Sequence, residues 1–271
     1  MAAEADVLAA LETTSRTFYL PIVRLPARLR EAVSSAYLCM RAIDEIEDHP
    51  SLDHEVKADL LSGVSRTLQG QTRIAAFSHE AMQSVFASQR GLLPEVTLRL
   101  ADWACHAPQA IAPRIWDATS AMADRMAFWA RRRWSIESRA DLDGYTFGVA
   151  GAVGILLCDL WAWFDGGEMD RVHAIEFGRG LQLVNILRNR AEDLARGADF
   201  YPRGWGETEM RSYAHENLRQ VQAYAQEMPA GPFAYLIRIP LTLAVATLEA
   251  LERGEGKLSR AAVLRLLQFE A

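Results

Sequence analysis

Helical periodicity runs through almost the whole chain, and it limits the fold more than any other feature of the sequence. Apolar residues recur every three or four positions, which is the spacing of one face of an α-helix. No convincing segment alternates apolar and polar residues as a half-buried strand does, and no hairpin turn signal occurs. The pattern predicts an all-α protein. Because there is no internal repeat or linker, it also predicts a single domain over residues 1–271.

Proline, glycine and N-cap residues predict where these helices begin and end. The segment 141–164 is apolar on nearly every side, which predicts a central position in a helical bundle. A loop rich in glycine, proline and aromatic residues is predicted over 197–206. The predicted helices cover residues 26–48, 53–69, 78–89, 113–133, 141–164, 168–196, 207–227 and 233–251, with one more starting at Pro94 and a short last one at Ser259.

Composition excludes several classes of function. Half of the 271 residues are apolar and 24% are charged, which is typical of a globular protein. The net charge of −6 and the scattered arginines argue against a nucleic-acid partner. The three cysteines are far apart and form no CxxC motif, so a reduced, cytoplasmic compartment is expected.

Membrane signals in the sequence are weak. Residues 1–11 lack the basic region of a signal peptide. The apolar run 148–157 is followed by Asp159 and is too short to span a bilayer. We therefore expect a cytoplasmic protein, and peripheral contact with a membrane stays open.

Four polar residues stand at steps of three and four in the helix predicted over 26–48, so they share one side of it. Two are carboxylates one turn apart, which can share Mg²⁺ with substrate phosphates. The alternative is an acidic, solvated helix end, although the helix dipole disfavours acids there. We call this set the first polar face: Tyr37, Arg41, Asp44 and Asp48.

A second polar stripe lies on the helix predicted over 168–196. Asn185, Asn189 and Asp193 stand four residues apart, with Arg188 and Glu192 beside them. We call these five residues the second polar face. A lone stripe of this kind is usually a buried polar network or a solvated surface. Two stripes in one apolar bundle suggest instead that metal ions and a diphosphate are held between them.

Several segments occur in the order found in squalene/phytoene synthases, and the chain resembles that family along nearly its whole length. No single motif carries the resemblance, because acidic pairs at helical spacing are common. Together they are specific. The matching segments are residues 15–18, 37–48, 145–154, 185–193, 197–202 and 239–248.

The resemblance implies an isoprenoid synthase-type helical bundle around a central cavity. It also implies a Mg²⁺-dependent prenyltransferase, for which Mn²⁺ is an alternative metal, that joins two farnesyl or geranylgeranyl diphosphates head to head. The chain has no GxGxxG fingerprint, so NADPH is not supported as a cofactor. Two alternatives stay open: a terpene synthase that ionises a single isoprenoid diphosphate, and a non-catalytic homologue.

The resemblance also implies a role for individual residues. Catalytic roles fall to Tyr37, Arg41 and Tyr145, the last in proton transfer and rearrangement. Substrate binding falls to Ser15, Phe18, Arg188 and Asn189. The metal ligands implied are Asp44, Glu47, Asp48, Asn185, Glu192 and Asp193.

Three positions depart from the family pattern. Asn189 stands where the family has Asp, Ala198 where it has Arg, and Arg125 where it has a small residue. The first two changes remove a negative ligand and a phosphate-binding guanidinium from the same implied site. We therefore hypothesise that a second diphosphate is held weakly. The arginines that stand close enough in sequence to replace the missing one are Arg190, Arg196 and Arg203.

Overall fold

The computed structural model describes residues 3–15, 17–71, 78–229, 231–256, 258, 262–263 and 265–266. Within this part of the chain there are thirteen α-helices and no strand, so the predicted all-α class is confirmed. The short helix predicted from Ser259 starts outside the described residues.

The chain divides into two compact units. The first unit is Met1–Trp134 with Asp159–Gly167, and the second unit is Ser135–Cys158 with Glu168–Ala271. That the two units form one domain stays a prediction.

The first unit is built around a long helix that carries the first polar face. Its helices are α1 (Glu4–Thr14), α2 (Tyr19–Val23), α3 (Ala27–Glu47), α4 (His54–Gln71), α5 (His79–Phe86), α6 (Glu95–Leu98), α7 (Leu100–His106) and α8 (Ala112–Arg131). Helix α4 packs along α8, and α3 packs against α6, α7 and α8. Helix α3 is therefore the central helix of this unit.

Most of the circumference of α3 is buried, and this orients the one side that is not. Leu29, Leu38 and Ile43, which point in different directions around the helix, are 0% exposed. Burying a side chain of this size contributes about 1.5–3 kcal/mol, so three of them fix the rotation of the helix. A buried hydrogen bond from the Thr97 hydroxyl to the Ala42 carbonyl (2.8 Å) adds to this hold. The first polar face consequently lies on the less buried side of α3.

The second unit is built around the helix that carries the second polar face. Its elements are α9 (Arg139–Thr146), a π-helical turn (Phe147–Gly151), α10 (Ala152–Asp165), α11 (Arg171–Ala195), α12 (Glu207–Glu227) and α13 (Pro232–Glu252). Helix α10 leaves this unit after Cys158. Helix α11 packs against α9, the π-turn, α12 and α13, so it is the central helix here.

Two glycines let α11 and the segment before it approach at backbone distance. A Cβ atom on Gly178 would lie 2.2 Å from the Ala150 carbonyl oxygen, and one on Gly154 would lie 2.0 Å from that of Ala174. Both distances are far below van der Waals contact. Only glycine fits at these two positions, so α11 is held against the π-turn by close backbone packing.

Most helix predictions are confirmed, and three details differ. The helix predicted from Pro94 is two short helices, because the backbone breaks at Arg99. The helix predicted over 141–164 contains the π-turn and starts earlier, at Arg139, where Ser138 and Asp141 form a capping box. Helices α1 and α2 were not predicted.

Two helical stretches meet the length and composition of a membrane span: Arg139–Asp165, which has 27 residues, and Pro232–Glu252. The first contains the apolar run 148–157, and the helical stretch around it is longer than the sequence suggested. Core helices of globular proteins pass the same test, and 39% and 56% of the two apolar windows are buried. The finding is therefore weak support for membrane contact.

Candidate active site

The first polar face holds an arginine between two carboxylates. The Arg41 guanidinium donates to Asp44 and to Glu45, and all three side chains are about one-third exposed. Burial alone would lower the pKa of Arg41, but the Asp44 and Glu45 carboxylates raise it. Asp48 follows the last turn of α3 and is exposed. This end of α3 therefore offers a fixed cation and carboxylate oxygens at the protein surface.

The N-terminal residues implied to cover the site do lie beside it. The Phe18 ring is 5.9 Å from the Tyr37 ring, centre to centre. Ser15 is buried, and its hydroxyl accepts a hydrogen bond from the Phe18 backbone N–H at 3.0 Å. Burial raises the pKa of Tyr37, while a hydrogen bond with Ser15 and the charge of Arg41 oppose this rise. The structure thus brings together Ser15, Phe18, Tyr37 and Arg41.

Glu47 has different surroundings from the other acids of α3. Its side chain is 2% exposed, and its carboxylate accepts a hydrogen bond from the Trp134 indole N–H at 2.8 Å. That carboxylate is therefore engaged inside the first unit. Its implied role as a metal ligand stays a prediction.

The second polar face is a hydrogen-bonded cluster. Arg188 donates to the amide oxygens of Asn185 (2.6 Å) and Asn189 (3.1 Å), and the Asn189 amide donates to Asn185 at 3.0 Å. A metal ion would have to compete with the Arg188 guanidinium for these two oxygens.

Asp193, at the end of this face, is also bound by an arginine. It is 9% exposed and accepts from Arg196 at 2.8 and 3.1 Å. Glu192 is exposed on the neighbouring position. On α11, the anionic group deepest in the protein is thus already paired with a cation.

The three arginines considered as replacements for the missing guanidinium all have partners. Arg196 binds Asp193. The Arg190 guanidinium lies 3.4 Å from the centre of the Tyr201 ring, and 3.7 Å from Asp199. Arg203 pairs with Glu137 at 3.0 Å, and its side chain is 77% exposed.

Ala198, where the family has Arg, is a buried structural residue in this chain. It is 0% exposed, and its backbone N–H donates to the Asp193 carbonyl at 2.9 Å. An arginine side chain would not fit here without moving the loop. Restoring the family residue at this position would therefore cost stability, which the sequence did not reveal.

Tyr145 packs against an aromatic ring of the loop that follows α11. It is 2% exposed and stacks on Phe200 with ring centres 4.6 Å apart. The Arg196 guanidinium lies 5.9 Å from the Phe200 ring centre. The structure therefore brings Tyr145 and Asp193 to the same region of the second unit, through Phe200 and Arg196.

A polar network ties α9, which carries Tyr145, to α11 and α12. Arg179 donates to Asp143 and to the Tyr213 hydroxyl, and its Nε donates to Thr146 at 3.3 Å. Burial raises the pKa of Tyr213, and its hydrogen bond to Asp143 adds to the rise. This network orients the turn in which Tyr145 lies.

The donor chemistry of α3 suits Mg²⁺. This ion takes one or two carboxylates and completes its shell with phosphate oxygens and water. Asp44 and Asp48 are such carboxylates, and Asp48 is exposed. Among the residues that the structure describes, no three His, Cys, Asp or Glu side chains are grouped to hold a metal alone. Asp44 and Asp48 thus have the ligand chemistry of a Mg²⁺ site, and that they bind the metal stays a proposal.

Sequence reasoning missed several residues that shape these surroundings. Glu45 was recognised in the sequence as standing beside the first polar face but was given no role, although it stands four residues after Arg41 on α3, the spacing of an ion pair. Phe200 lay inside a matching segment but had no assigned role. Trp134 and Arg179 reach their partners only through the tertiary fold, so no local pattern pointed to them.

Comparison with solved structures agrees with the fold. A solved complex of TcSQS with the ligand BPH1237 has a TM-score of 0.77 and 24% identity, and the match covers 98% of this chain and 85% of that one. A dehydrosqualene synthase, solved in complex with a ligand, has a TM-score of 0.53 and 18% identity, over 98% and 94% of the two chains. At these identities the likeness shows the fold alone, and it confirms the all-α isoprenoid synthase type.

Curated relatives are squalene synthases. The Schizosaccharomyces pombe protein is 27% identical over a match that covers 90% of this chain and 58% of that one. The Eremothecium gossypii protein is 31% identical over 205 residues, covering 71% and 44%. The chain thus spans about half the length of the curated relatives it matches.

The family model described as squalene/phytoene synthase matches residues 11–211. That stretch is well over half of the chain, and it includes both polar faces, Tyr145 and the loop that contains Phe200. The chain belongs to the squalene/phytoene synthase family.

Proposed function

We propose that this protein is a Mg²⁺-dependent prenyltransferase that joins two allylic isoprenoid diphosphates, farnesyl or geranylgeranyl diphosphate, head to head. Its family and its squalene synthase relatives support this reaction class. The observation that carries the proposal is the end of α3. There Arg41 is fixed between Asp44 and Glu45, next to the exposed Asp48.

Each group of the first polar face has a task in this proposal. Asp44 and Asp48 would hold Mg²⁺ together with phosphate oxygens. The bound metal would supply positive charge that stabilises the leaving diphosphate. Arg41 would donate to the same diphosphate, because a guanidinium matches phosphate oxygens in charge and geometry. Ser15 and Phe18, packed by Tyr37, would cover the site and exclude water.

Groups of the second unit would act on the hydrocarbon part of the substrate. Tyr145 is the proposed proton-transfer residue, and the stacked Tyr145 and Phe200 rings offer a π-face that stabilises a carbocation. A small apolar cavity in this unit is lined by residues that include Gly154, Leu157, Phe177, Val221 and Ile237. It is only about large enough for one water molecule, so an isoprenyl chain would need a wider space than this cavity offers.

A second candidate function has an observation in its favour. The amide oxygens of Asn185 and Asn189 are bound by Arg188, and Asp193 is bound by Arg196. A face that is already satisfied in this way binds a second metal–diphosphate group weakly. A terpene synthase, which ionises one isoprenoid diphosphate and rearranges it, would need only one such group.

Product analysis separates these functions. The purified protein is incubated with Mg²⁺ and either farnesyl or geranylgeranyl diphosphate, and the products are identified by mass spectrometry. C30 or C40 products support head-to-head condensation, and C15 or C20 hydrocarbons or alcohols support the terpene synthase. Intact substrate after long incubation, in a protein that is folded and binds Mn²⁺, would contradict both.

Peripheral association with a membrane is part of the proposal, because the products would be apolar. The two long apolar helical stretches give it weak support. Flotation of the protein with anionic vesicles, compared with neutral ones, tests it.

A further inference from the structure

Glu47 belongs to an acidic motif in the sequence, but its side chain is buried in the structure. Its sequence neighbour Asp48 is exposed, whereas the Glu47 side chain is 2% exposed. Burying a carboxylate costs several kcal/mol unless it is hydrogen-bonded. The Trp134 indole, which is itself 5% exposed, provides such a bond at 2.8 Å. Glu47 is therefore directed into the first unit.

The Lys57 side chain binds the backbone carbonyl of Glu47. Lys57 lies on α4 and is 4% exposed, and its ammonium donates to the Glu47 carbonyl oxygen at 2.7 Å. The last carbonyls of a helix have no partner inside the helix and attract cations. The same ammonium lies 5.1 Å from the centre of the Trp134 ring. Lys57 thus caps the end of α3 and contacts Trp134.

The turn that delivers Trp134 is strained. Arg133 and Trp134 both have a φ of +50°, in the left-handed region that costs an ordinary residue about 1 kcal/mol or more. The Trp134 backbone N–H donates to the Trp129 carbonyl at 2.9 Å and closes the turn after α8. Such strain persists only where the surrounding contacts outweigh it, and the contacts here include those of Trp134 with Glu47 and Lys57.

We propose that Glu47, Lys57 and Trp134 form an internal anchor that positions the last turn of α3, and that Glu47 is not itself a metal ligand. The anchor joins the end of α3 to α4 and to the turn after α8. Asp44 lies within that last turn and Asp48 directly after it, so their direction depends on the anchor. What those two aspartates then bind rests on the proposed function, whereas the anchor itself does not.

The test compares variants by two measurements. Mn²⁺ affinity is measured by electron paramagnetic resonance in the presence of inorganic diphosphate, and thermal unfolding is measured on the metal-free protein. Glu47→Gln keeps an oxygen that accepts from the indole, Trp134→Phe removes the indole N–H, and Asp48→Asn removes a proposed ligand. The matched control is Trp116→Phe, which loses an indole bond to Ala104 (3.0 Å) away from Glu47.

The anchor predicts a specific pattern. Glu47→Gln keeps an Mn²⁺ affinity close to that of the parent, and Asp48→Asn loses it. Trp134→Phe weakens Mn²⁺ binding about tenfold although it removes no oxygen ligand, since groups that orient ligands act on that scale. In metal-free unfolding, the shifts of Glu47→Gln and Trp134→Phe are not additive, whereas those of Glu47→Gln and Trp116→Phe are.

The contrary pattern would overturn the proposal: Glu47→Gln loses Mn²⁺ as Asp48→Asn does, while metal-free unfolding shows additive shifts for Glu47 and Trp134. If Asp48→Asn leaves Mn²⁺ binding unchanged, the metal site of the proposed function is wrong. In that case the anchor is tested by metal-free unfolding alone. Non-additive shifts of Glu47→Gln and Trp134→Phe would support the anchor, and additive shifts would refute it.

Discussion

The two polar faces are built on helices of similar length but differ in what they leave available. On α3, the acid at the end, Asp48, is exposed, and Arg41 is fixed by the neighbouring carboxylates. On α11, Asp193 is buried against Arg196, and the two asparagine oxygens accept from Arg188. Counted with Glu45, the first face therefore has three carboxylates for one guanidinium, whereas on the second face the exposed Glu192 and the buried Asp193 are matched by Arg188 and Arg196.

The two helices are also held differently. Helix α3 is fixed by apolar side chains such as Leu38 and Ile43, and at its end by Glu47. Helix α11 is fixed by backbone contact through Gly154 and Gly178. The comparison shows that the two polar faces are supported by different kinds of packing, side-chain burial for α3 and close backbone contact for α11. We expect metal binding to depend mainly on α3.

The largest expected effect is on turnover. Replacing Asp44 and Asp48 by asparagine removes both carboxylates of the first polar face, so product formation should fall by at least ~100-fold. Thermal unfolding of the metal-free protein serves as the control and should change little, because neither aspartate is buried. Full turnover in a folded double variant would show that the first face is not the metal site.

The second expected effect is on stability. Gly178→Ala places a methyl group 2.2 Å from the Ala150 carbonyl oxygen, which forces the π-turn and α11 apart. We expect a loss of about 3 kcal/mol or more in the free energy of unfolding, measured with urea. Gly70→Ala is the matched control, because a Cβ there meets nothing within 4 Å. The free energy of unfolding of Gly70→Ala should rise by ~0.5–1 kcal/mol. Equal effects at the two sites would argue against close backbone packing of α11.

A smaller effect is expected from restoring charge to the second face. Asn189→Asp puts a carboxylate beside Arg188, which now donates to Asn189 at 3.1 Å. The anionic ligand should strengthen Mn²⁺ binding with diphosphate by up to roughly tenfold and raise the share of C30 or C40 products. Asn189→Ala is the control and should do neither. The family arginine is not restored with it, because Ala198 is fully buried.

The smallest effect concerns the start of α11. Asp170 caps this helix and accepts from the backbone N–H groups of His173 (3.0 Å) and Val172 (2.8 Å). These bonds lower the pKa of Asp170, and the bond from His173 has the larger effect. A lowered folded-state pKa means that the cap stabilises the protein above the ordinary carboxyl pKa of about 4. That stabilisation is lost as pH falls through the folded-state pKa.

Asp170→Ala should therefore lower the midpoint of thermal unfolding slightly at neutral pH, and the difference from the parent should shrink as the pH falls through the lowered pKa of Asp170. Asp170→Asn keeps a capping oxygen that does not titrate. The difference in unfolding midpoint between this variant and the parent should therefore change with pH, because only the parent titrates, while both proteins keep the cap. A difference for Asp170→Ala that stays constant at all pH values would show that the carboxylate charge is irrelevant.

Much of the fold could be predicted from the sequence, because helix starts and stops are local signals. The predicted helix over 207–227 coincides with α12, and the one over 26–48 lies within one residue of α3 at each end. The break at Arg99 and the π-turn at Phe147–Gly151 could not be predicted. Both depend on how the segment packs against neighbouring helices, and helical periodicity carries no such information.

The sequence could predict which residues share a polar face, but not how each of them is buried and paired. Spacing placed Tyr37, Arg41 and Asp44 on one face, and the structure agrees. Spacing also placed Asp193 on a polar stripe, but its burial against Arg196 follows from the turn after α11. Glu47 shows the same limit, since its neighbours in sequence are acids of the motif and its partner Trp134 is distant in the chain.

The most direct test of the inequality between the two faces is Mn²⁺ affinity, measured with inorganic diphosphate, for Asp48→Asn beside Glu192→Gln and Asp193→Asn. Thermal unfolding of each metal-free variant verifies that it is folded, which matters most for the buried Asp193. We predict that Asp48→Asn loses at least ~100-fold in affinity and that the two α11 variants each lose less than about tenfold. An equal or greater loss in either folded α11 variant would contradict the claim that metal binding depends mainly on α3.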